Sequence, residues 1–287
     1  MRRIIPILLF AAATLGVGSC KYSAPTSSKP VITVSIEPQR WLLEQIVGDK
    51  ADVNCLMARG GNPESYEPAF SHLADLERSS CYMLMGNLGF EDAIISRIKV
   101  NNPDLPVVNT SDSIILIVDD HGHDHGIDPH VWSSARNAAI IARNMARALC
   151  ALDSANSQVY LANYKRLQAR IDSVDSICSQ ILSEPGVARS FMVWHPSLSY
   201  FARDYGLTQI SVGSEGKEPS VGETRDLLKR VNADSARVFL VQKDFDSSRA
   251  GVVSDGAESI RVVPINPLNY EWDNELVETA RAIAGKQ

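Results

Sequence analysis

The chain has 287 residues, of which 45% are hydrophobic, 22% are charged and 7% are aromatic. This is the composition of an ordinary globular protein, and it excludes a disordered, collagen-like or multi-span membrane protein. The 28 basic and 34 acidic residues give a formal net charge of −6, which argues against nucleic acid as a partner. The length suffices for two domains of ordinary size.

The N-terminus predicts an export signal that ends at a lipid-modified cysteine. Two arginines precede an apolar stretch over residues 4–17, which is too short for a stable membrane span. Small residues then precede Cys20, so residues 1–19 resemble a bacterial lipoprotein signal peptide with Cys20 as the lipidated residue. A plain secretory signal with an incidental cysteine is the alternative. Residues 20–30 are rich in Ser and Pro and predict a flexible tether.

Four further cysteines follow, namely Cys55, Cys81, Cys150 and Cys178. An exported protein can form disulfides, and four cysteines allow three pairings. These cysteines lie in apolar strand-like and helical stretches, and none forms a closely spaced pair with another. The pattern therefore favours buried thiols over a disulfide framework.

Residues 31–152 predict an N-terminal α/β lobe. Short β-branched and apolar runs alternate with stretches of helical apolar spacing. The predicted strands cover residues 31–36, 53–57, 81–85 and 106–108, and the predicted helices cover residues 41–47, 70–77, 91–99 and 134–150. This alternation indicates a parallel sheet with helices on both faces.

Residues 153–185 predict one long linking helix, which Asp153 or Ser154 can cap and which Pro185 and Gly186 end. Its apolar side chains recur at intervals of four and three residues and form one stripe, made of Tyr160, Tyr164, Leu167, Ile171, Val174, Cys178 and Ile181. Such a stripe fits either a dimeric coiled coil or a spine across two lobes of one chain. The α/β halves on either side favour the spine.

Residues 186–287 predict a C-terminal lobe of the same style. Its strands are expected at 190–193, 209–212, 238–241 and 262–265, and its helices at 198–205, 220–231, 247–257 and 273–284. The predicted fold class is therefore α/β, with two lobes that are each a mainly parallel sheet flanked by helices, joined by one long rigid helix. A cleft between two lobes is a common place for a small ligand.

Polar residues with metal-binding chemistry lie near the ends of several predicted strands. Glu64 follows the second strand, His195 directly follows the fifth, and Asn266 directly follows the last, whereas His130 lies just before a helix. The carboxyl ends of the strands are where an open α/β sheet presents ligands. Each residue taken alone also fits a structural role, such as a capping histidine, a solvated glutamate or a turn asparagine.

A short histidine-rich segment, HGHDHG at residues 121–126, predicts an accessory loop that collects cations through His121, His123 and His125. The alternative is a polar loop without a role.

Together these stretches resemble one family. The chain is similar to the zinc/manganese-type solute-binding lipoproteins of bacterial ABC transporters, in the form found in Bacteroidetes-type bacteria. The matching stretches cover nearly all of the mature chain in order: residues 32–49, GGNPESYEP (60–68), MGNLGFE (85–91), DPHVW (128–132), WHPSLSYFARDYGL (194–207), GKEPS (216–220), VFLVQKDFD (238–246) and INPLNYEW (265–272).

The resemblance implies one metal ion held between the two lobes. The family's first histidine ligand falls on Glu64, its second and third fall on His130 and His195, and its aspartate in the last loop falls on Asn266. A carboxylate with two imidazoles is a ligand set that zinc accepts, whereas manganese prefers more oxygen ligands. An asparagine carbonyl is a weak fourth ligand, so water can complete the sphere. A second charge could instead come from outside the four ligand positions, from Glu215, Glu218 or Asp246.

The function that the resemblance implies is high-affinity binding of a divalent transition metal in the interlobe cleft, with Zn²⁺ preferred over Mn²⁺. The metal is then delivered to an ABC transporter permease. The protein is expected to be a monomer on the periplasmic side of a bacterial membrane, anchored through Cys20, and not an enzyme. Two alternatives are a lipid-anchored zinc hydrolase that uses the same ligands and an adhesin-like surface lipoprotein.

Overall fold

Strands and helices alternate along both halves of the chain in the computed structural model, which describes residues 29–57, 60–118, 126–212, 236–242 and 260–286. The first half contains β1 (Val31–Val34), α1 (Glu37–Val47), β2 (Asp52–Cys55), α2 (Phe70–Glu77), β3 (Cys81–Leu84), α3 (Gly89–Asn101), β4 (Val107–Asn109) and α4 (Ala135–Leu152). After the long helix α5 (Ser157–Leu182), the second half contains β5 (Ser190–Val193), α6 (Ser199–Tyr205), β6 (Thr208–Ser211), β7 (Val238–Gln242), β8 (Arg261–Ile265) and α7 (Trp272–Ile283). The helices predicted at 220–231 and 247–257 lie outside the described residues.

Within the described residues, each half builds one four-stranded sheet, and every strand pair there is parallel. The strand orders are β2-β1-β3-β4 and β6-β5-β7-β8, so the two halves repeat the same topology. Strands β3 and β5 are buried along their whole length, as expected for parallel strands covered by helices on both faces. The predicted fold class is therefore confirmed.

Helix α5 crosses both halves. Its 26 residues span about 39 Å, and it packs against α1 and α4 of the first half and against α7 of the second. The predicted apolar stripe faces these helices, with most of its members buried and Tyr164 and Ile181 half-buried. Because its own chain covers the stripe, the structure supports the spine and not a coiled-coil seam.

The long helix is shorter than the predicted span of 153–185. A separate 3-10 turn, Ser154–Asn156, precedes it, and the Asp153 side chain accepts a hydrogen bond from the backbone N–H of Asn156 (3.4 Å). This aspartate caps the turn and not the helix itself. At the other end the helix stops at Leu182, three residues before the proline.

Helix α1 begins at Glu37, four residues before the predicted start. Pro38 occupies the first turn, where its missing N–H costs nothing. The Gln39 side chain is buried, where it accepts from the Ser35 N–H (2.9 Å) and donates to the Met83 carbonyl (2.8 Å). Apolar spacing could not reveal this first turn because its buried residues include polar ones.

The two halves also meet directly at three tryptophans. The Trp132 indole N–H donates to the Pro267 carbonyl (2.9 Å), and the Trp272 indole N–H donates to the Trp132 carbonyl (2.7 Å). The ring of Trp272 lies 5.7 Å from that of Trp41 in α1. Buried indoles whose N–H groups find a carbonyl combine a large apolar contact with a directional bond. These contacts fix the orientation of one half against the other.

No disulfide joins the four cysteines that the structure describes. Cys81 and Cys178 are buried, and burial raises the pKa of each thiol to about 12, so both stay protonated at neutral pH. Within the described ranges, no helix has both the length and the apolar character that crossing a bilayer requires.

A buried carboxylic acid lies at the start of α3. Glu91 accepts hydrogen bonds from the backbone N–H groups of Met85 (2.7 Å) and Gly86 (2.8 Å) and from the Ser35 hydroxyl. Burial raises the pKa of Glu91 from 4.5 to about 7, although these hydrogen bonds work in the opposite direction. Between these two pH values the folded protein holds a proton that the unfolded chain has released. The free energy of unfolding therefore falls as pH rises through this range, by roughly 3 kcal/mol in total.

Replacement of Glu91 by Gln is expected to remove this pH dependence. The variant should be less stable at low pH, because an amide cannot accept from every donor around it, but the deficit should shrink as pH rises from 5 to 8. Urea unfolding across that range measures the difference, with the exposed Glu77→Gln as the matched control. A constant difference between wild type and Glu91→Gln at every pH would contradict the buried-acid assignment.

Candidate metal centre

Three of the side chains predicted as metal ligands converge on one point. The Glu64 Oε1 atom lies 3.0 Å from His195 Nε2 and 3.5 Å from His130 Nε2, and the two imidazole nitrogens are 3.2 Å apart. A tetrahedral zinc ion with ligands at about 2.1 Å requires its ligand atoms to be about 3.4 Å apart. The three atoms are therefore already spaced as such an ion needs them. Among the described residues, this is the one cluster of three His, Cys, Asp or Glu side chains with metal-binding geometry.

His130 is held by a buried aspartate. Asp128 Oδ1 accepts from both the backbone N–H of His130 (2.8 Å) and its ring nitrogen Nδ1 (2.9 Å). Burial alone would raise the pKa of Asp128, but hydrogen bonds from His130 and Ser199 bring it below its ordinary value. The ionised carboxylate therefore keeps the proton on Nδ1, and Nε2 presents its lone pair to the cluster.

The same aspartate connects the His130 loop to the second half of the chain. The Tyr200 hydroxyl of α6 donates to the backbone carbonyl of Asp128 (2.7 Å). His130 itself is only 2% exposed, and its ring lies 5.1 Å from that of Trp132. The imidazole thus has a fixed tautomer and a fixed orientation, which are the properties of a metal-ligating histidine.

His195 stands at the carboxyl end of β5, where the predicted strand ends. Its backbone carbonyl accepts from the Ser197 N–H (2.8 Å), and the N–H of the preceding Trp194 donates to Leu240 in β7 (3.3 Å). The side chain is 18% exposed. A residue at this position of a parallel sheet faces the ligand edge, and here it faces the other half of the molecule.

Glu64 lies in the loop between β2 and α2. Its backbone N–H donates to the Asn62 side chain (2.9 Å), which stabilises a tight turn around Pro63 and Glu64. Its side chain is 14% exposed. The carboxylate thus approaches the two imidazoles from the first lobe, and the solvated-loop alternative is wrong for this residue.

Asn266 follows β8 directly, as predicted. Its side-chain carbonyl accepts from the Leu268 N–H (3.2 Å), and its backbone N–H donates to Glu275 (2.7 Å). The next residue, Pro267, binds the Trp132 indole. The asparagine therefore stabilises its own turn close to the interlobe contact, and its role as a fourth ligand stays a prediction.

The remaining residues predicted to bind metal or lipid lie outside the described residues: His121, His123, His125, Glu215, Glu218, Asp246 and Cys20. One residue that shapes the site was not predicted from the sequence, namely Asp128. The signal for Asp128 was its position two residues before a histidine, which lets a carboxylate reach Nδ1 of that ring.

Comparison with known proteins gives a consistent result. The family model described as zinc-uptake complex component A, periplasmic, matches residues 32–280. The zinc-binding lipoprotein AdcA of Streptococcus pneumoniae is 23% identical over 278 residues, which cover 92% of this chain and 55% of AdcA. The chain therefore spans about half the length of that relative.

Two solved structures share both fold and sequence. A crystal structure of ZnuA has a TM-score of 0.83 and 31% identity, covering 90% of this chain and 99% of the other. A ZnuA deletion mutant with zinc bound has a TM-score of 0.82 and 32% identity, covering 89% and 97%.

Asp128→Asn is expected to weaken divalent metal binding by about 10- to 100-fold, because the neutral amide no longer fixes the His130 tautomer. A competition titration with a zinc indicator measures the change. Asp112→Asn, an exposed residue in the same half, is the matched control. Equal zinc affinity in wild type and Asp128→Asn would show that the aspartate does not orient a ligand.

Proposed function

The chain belongs to the zinc-uptake complex component A family, and on that premise we propose that it captures a divalent transition metal, zinc first, and delivers it to a membrane ABC permease. The proposed ligands are Glu64, His130 and His195. The observation that carries the proposal is the convergence of their three ligand atoms, from both halves of the chain, at separations of 3.0–3.5 Å.

The donor set favours zinc over manganese. Two imidazole nitrogens and one carboxylate oxygen match the ligands that zinc takes in proteins, whereas manganese favours a shell richer in oxygen. One carboxylate and two neutral imidazoles leave a bound Zn²⁺ site with a net charge of +1. The fourth position falls to Asn266 or to a water molecule. The zinc-binding relatives reported above support this choice of metal.

A metal ion binds imidazole nitrogens and carboxylates in their deprotonated forms. The Asp128 carboxylate already keeps the Nδ1 proton of His130 away from the cluster. The three ligand atoms already lie 3.0–3.5 Å apart, so a zinc ion can bind with little rearrangement of the side chains.

We further propose a monomer, tethered on the periplasmic side of the membrane by a lipid at Cys20. The stripe of α5 supports the monomer, because α1, α4 and α7 of the same chain cover it. The proposal of a lipid anchor is based on the sequence around Cys20, and the proposal of a permease partner is based on the family. Binding and transfer account for the ligand set without a catalytic step.

Metal analysis of protein purified without added metal tests the first step of the proposal, which is metal capture. We expect about one equivalent of zinc per chain and no hydrolysis of esters or peptides by the loaded protein. Zinc-dependent hydrolysis would instead favour an enzyme that uses the same ligands.

Glu64→Ala and His195→Ala are each expected to weaken zinc binding tenfold or more, because each removes one direct ligand. Competition titration against chelators of graded affinity measures the loss, and Ser65→Ala, an exposed neighbour of Glu64, is the control. A variant that binds zinc as tightly as wild type would remove its residue from the proposed site.

A further inference from the structure

Tyr66, two residues after Glu64, connects the loop that carries Glu64 to three segments of the first half: the end of β2, helix α2 and the start of α3. Its hydroxyl donates to the Leu56 carbonyl at the end of β2 (2.6 Å) and lies 2.5 Å from Nδ1 of His72 in α2. Its ring meets that of Phe90, at the start of α3, edge-on with centroids 5.0 Å apart.

The phenol has one proton and two partners, which fixes the direction of both bonds. If the hydroxyl donates to Leu56, its oxygen must accept from the Nδ1–H of His72. The chain of contacts therefore runs from α2 through His72 and Tyr66 to the sheet. This arrangement gives His72 a role that the ligand set does not use.

The point to which Tyr66 is bonded is itself rigid. Leu56 is buried, and its backbone N–H donates to Val34 in β1 (2.9 Å). The turn that carries Glu64 is thus fixed at its start by Asn62 and at its end by Tyr66. Between these two points only Pro63, Glu64 and Ser65 remain, and the proline restricts them further.

We infer that Tyr66 is a positioning residue for Glu64, whose hydroxyl holds the glutamate turn in the place where its carboxylate meets the two imidazoles. This inference rests on the proposed function. A ligand on a loop must be ordered when the metal binds, and that ordering lowers affinity unless the protein has already fixed the loop. His130 and His195 have other supports, so the effect of Tyr66 runs through Glu64 alone.

Tyr66→Phe removes only the hydroxyl and keeps the ring against Phe90. We expect zinc affinity to fall about three- to tenfold, because the loop loses the hydrogen bonds of this hydroxyl and must then be ordered when the metal binds. The melting temperature of the metal-free protein should also fall, because the Leu56 carbonyl and the His72 ring lose their partner. Tyr164→Phe is the matched control, because that hydroxyl contacts only Gln168, one turn along α5 (3.1 Å), among the described hydrogen bonds.

Two double variants separate positioning from general stability. In a Glu64→Ala background, Tyr66→Phe should have no further effect on zinc affinity, because the side chain that it positions is gone. In a His195→Ala background the three- to tenfold loss should persist. Chelators of lower affinity keep these weaker sites measurable in the same competition titration.

The outcomes distinguish this inference from the proposed function. A large effect of Glu64→Ala with an unchanged affinity in Tyr66→Phe would overturn the positioning role alone. An equal loss from Tyr66→Phe with and without Glu64 would also overturn it, because the hydroxyl would then act on the lobe as a whole. An unchanged affinity in Glu64→Ala itself would contradict the proposed function and this inference together.

Discussion

The proposed metal site depends on one geometric constraint, which is that a small divalent ion needs its ligand atoms about 3.4 Å apart. Glu64 and His130 come from loops of the first half, whereas His195 follows a strand of the second half. Their separations of 3.0–3.5 Å require two independently built sheets to be fixed against each other to a fraction of an ångström. A single long helix cannot by itself fix the two sheets against each other with that precision.

The interlobe contacts supply the rest of that precision. The Trp132 indole donates to the Pro267 carbonyl and the Trp272 indole donates to the Trp132 carbonyl, and Trp132 is only two residues from His130. Arg170 of α5 lies 4.9 Å over the Trp41 indole ring and donates a hydrogen bond to Asp273 of α7 (2.7 Å). Helix α5 therefore acts together with side chains from both halves to fix their relative orientation.

Much of this could be predicted from the sequence, for identifiable reasons. Parallel strands buried on both faces have short apolar runs as their sequence pattern, and the apolar residues of α5 recur every three or four residues. The types of the elements and their order could therefore be predicted from the sequence. Strand ends and the motif resemblance pointed to Glu64 and His195, and the resemblance pointed to His130. The start of α1 was missed because polar residues such as Gln39 are buried there by hydrogen bonds that bring together distant segments.

The supports of the site were harder to predict than its ligands. Asp128 and Tyr66 act through particular hydrogen bonds at particular distances. A sequence pattern does not predict that a residue of either type supports a ligand in this way. Asn266 shows the converse problem, because a motif position can be filled by a side chain that stabilises its own turn. Local pattern identifies which residues have suitable chemistry, but only the packing of the two halves decides which atoms face one another.

A crystal structure of zinc-loaded protein, with anomalous scattering measured on both sides of the zinc absorption edge, tests the central claim most directly. The account predicts one strong anomalous peak between the halves, about 2.0–2.2 Å from Glu64 Oε1, His130 Nε2 and His195 Nε2. A peak bonded to other residues, with these three side chains turned away from it, would contradict the account.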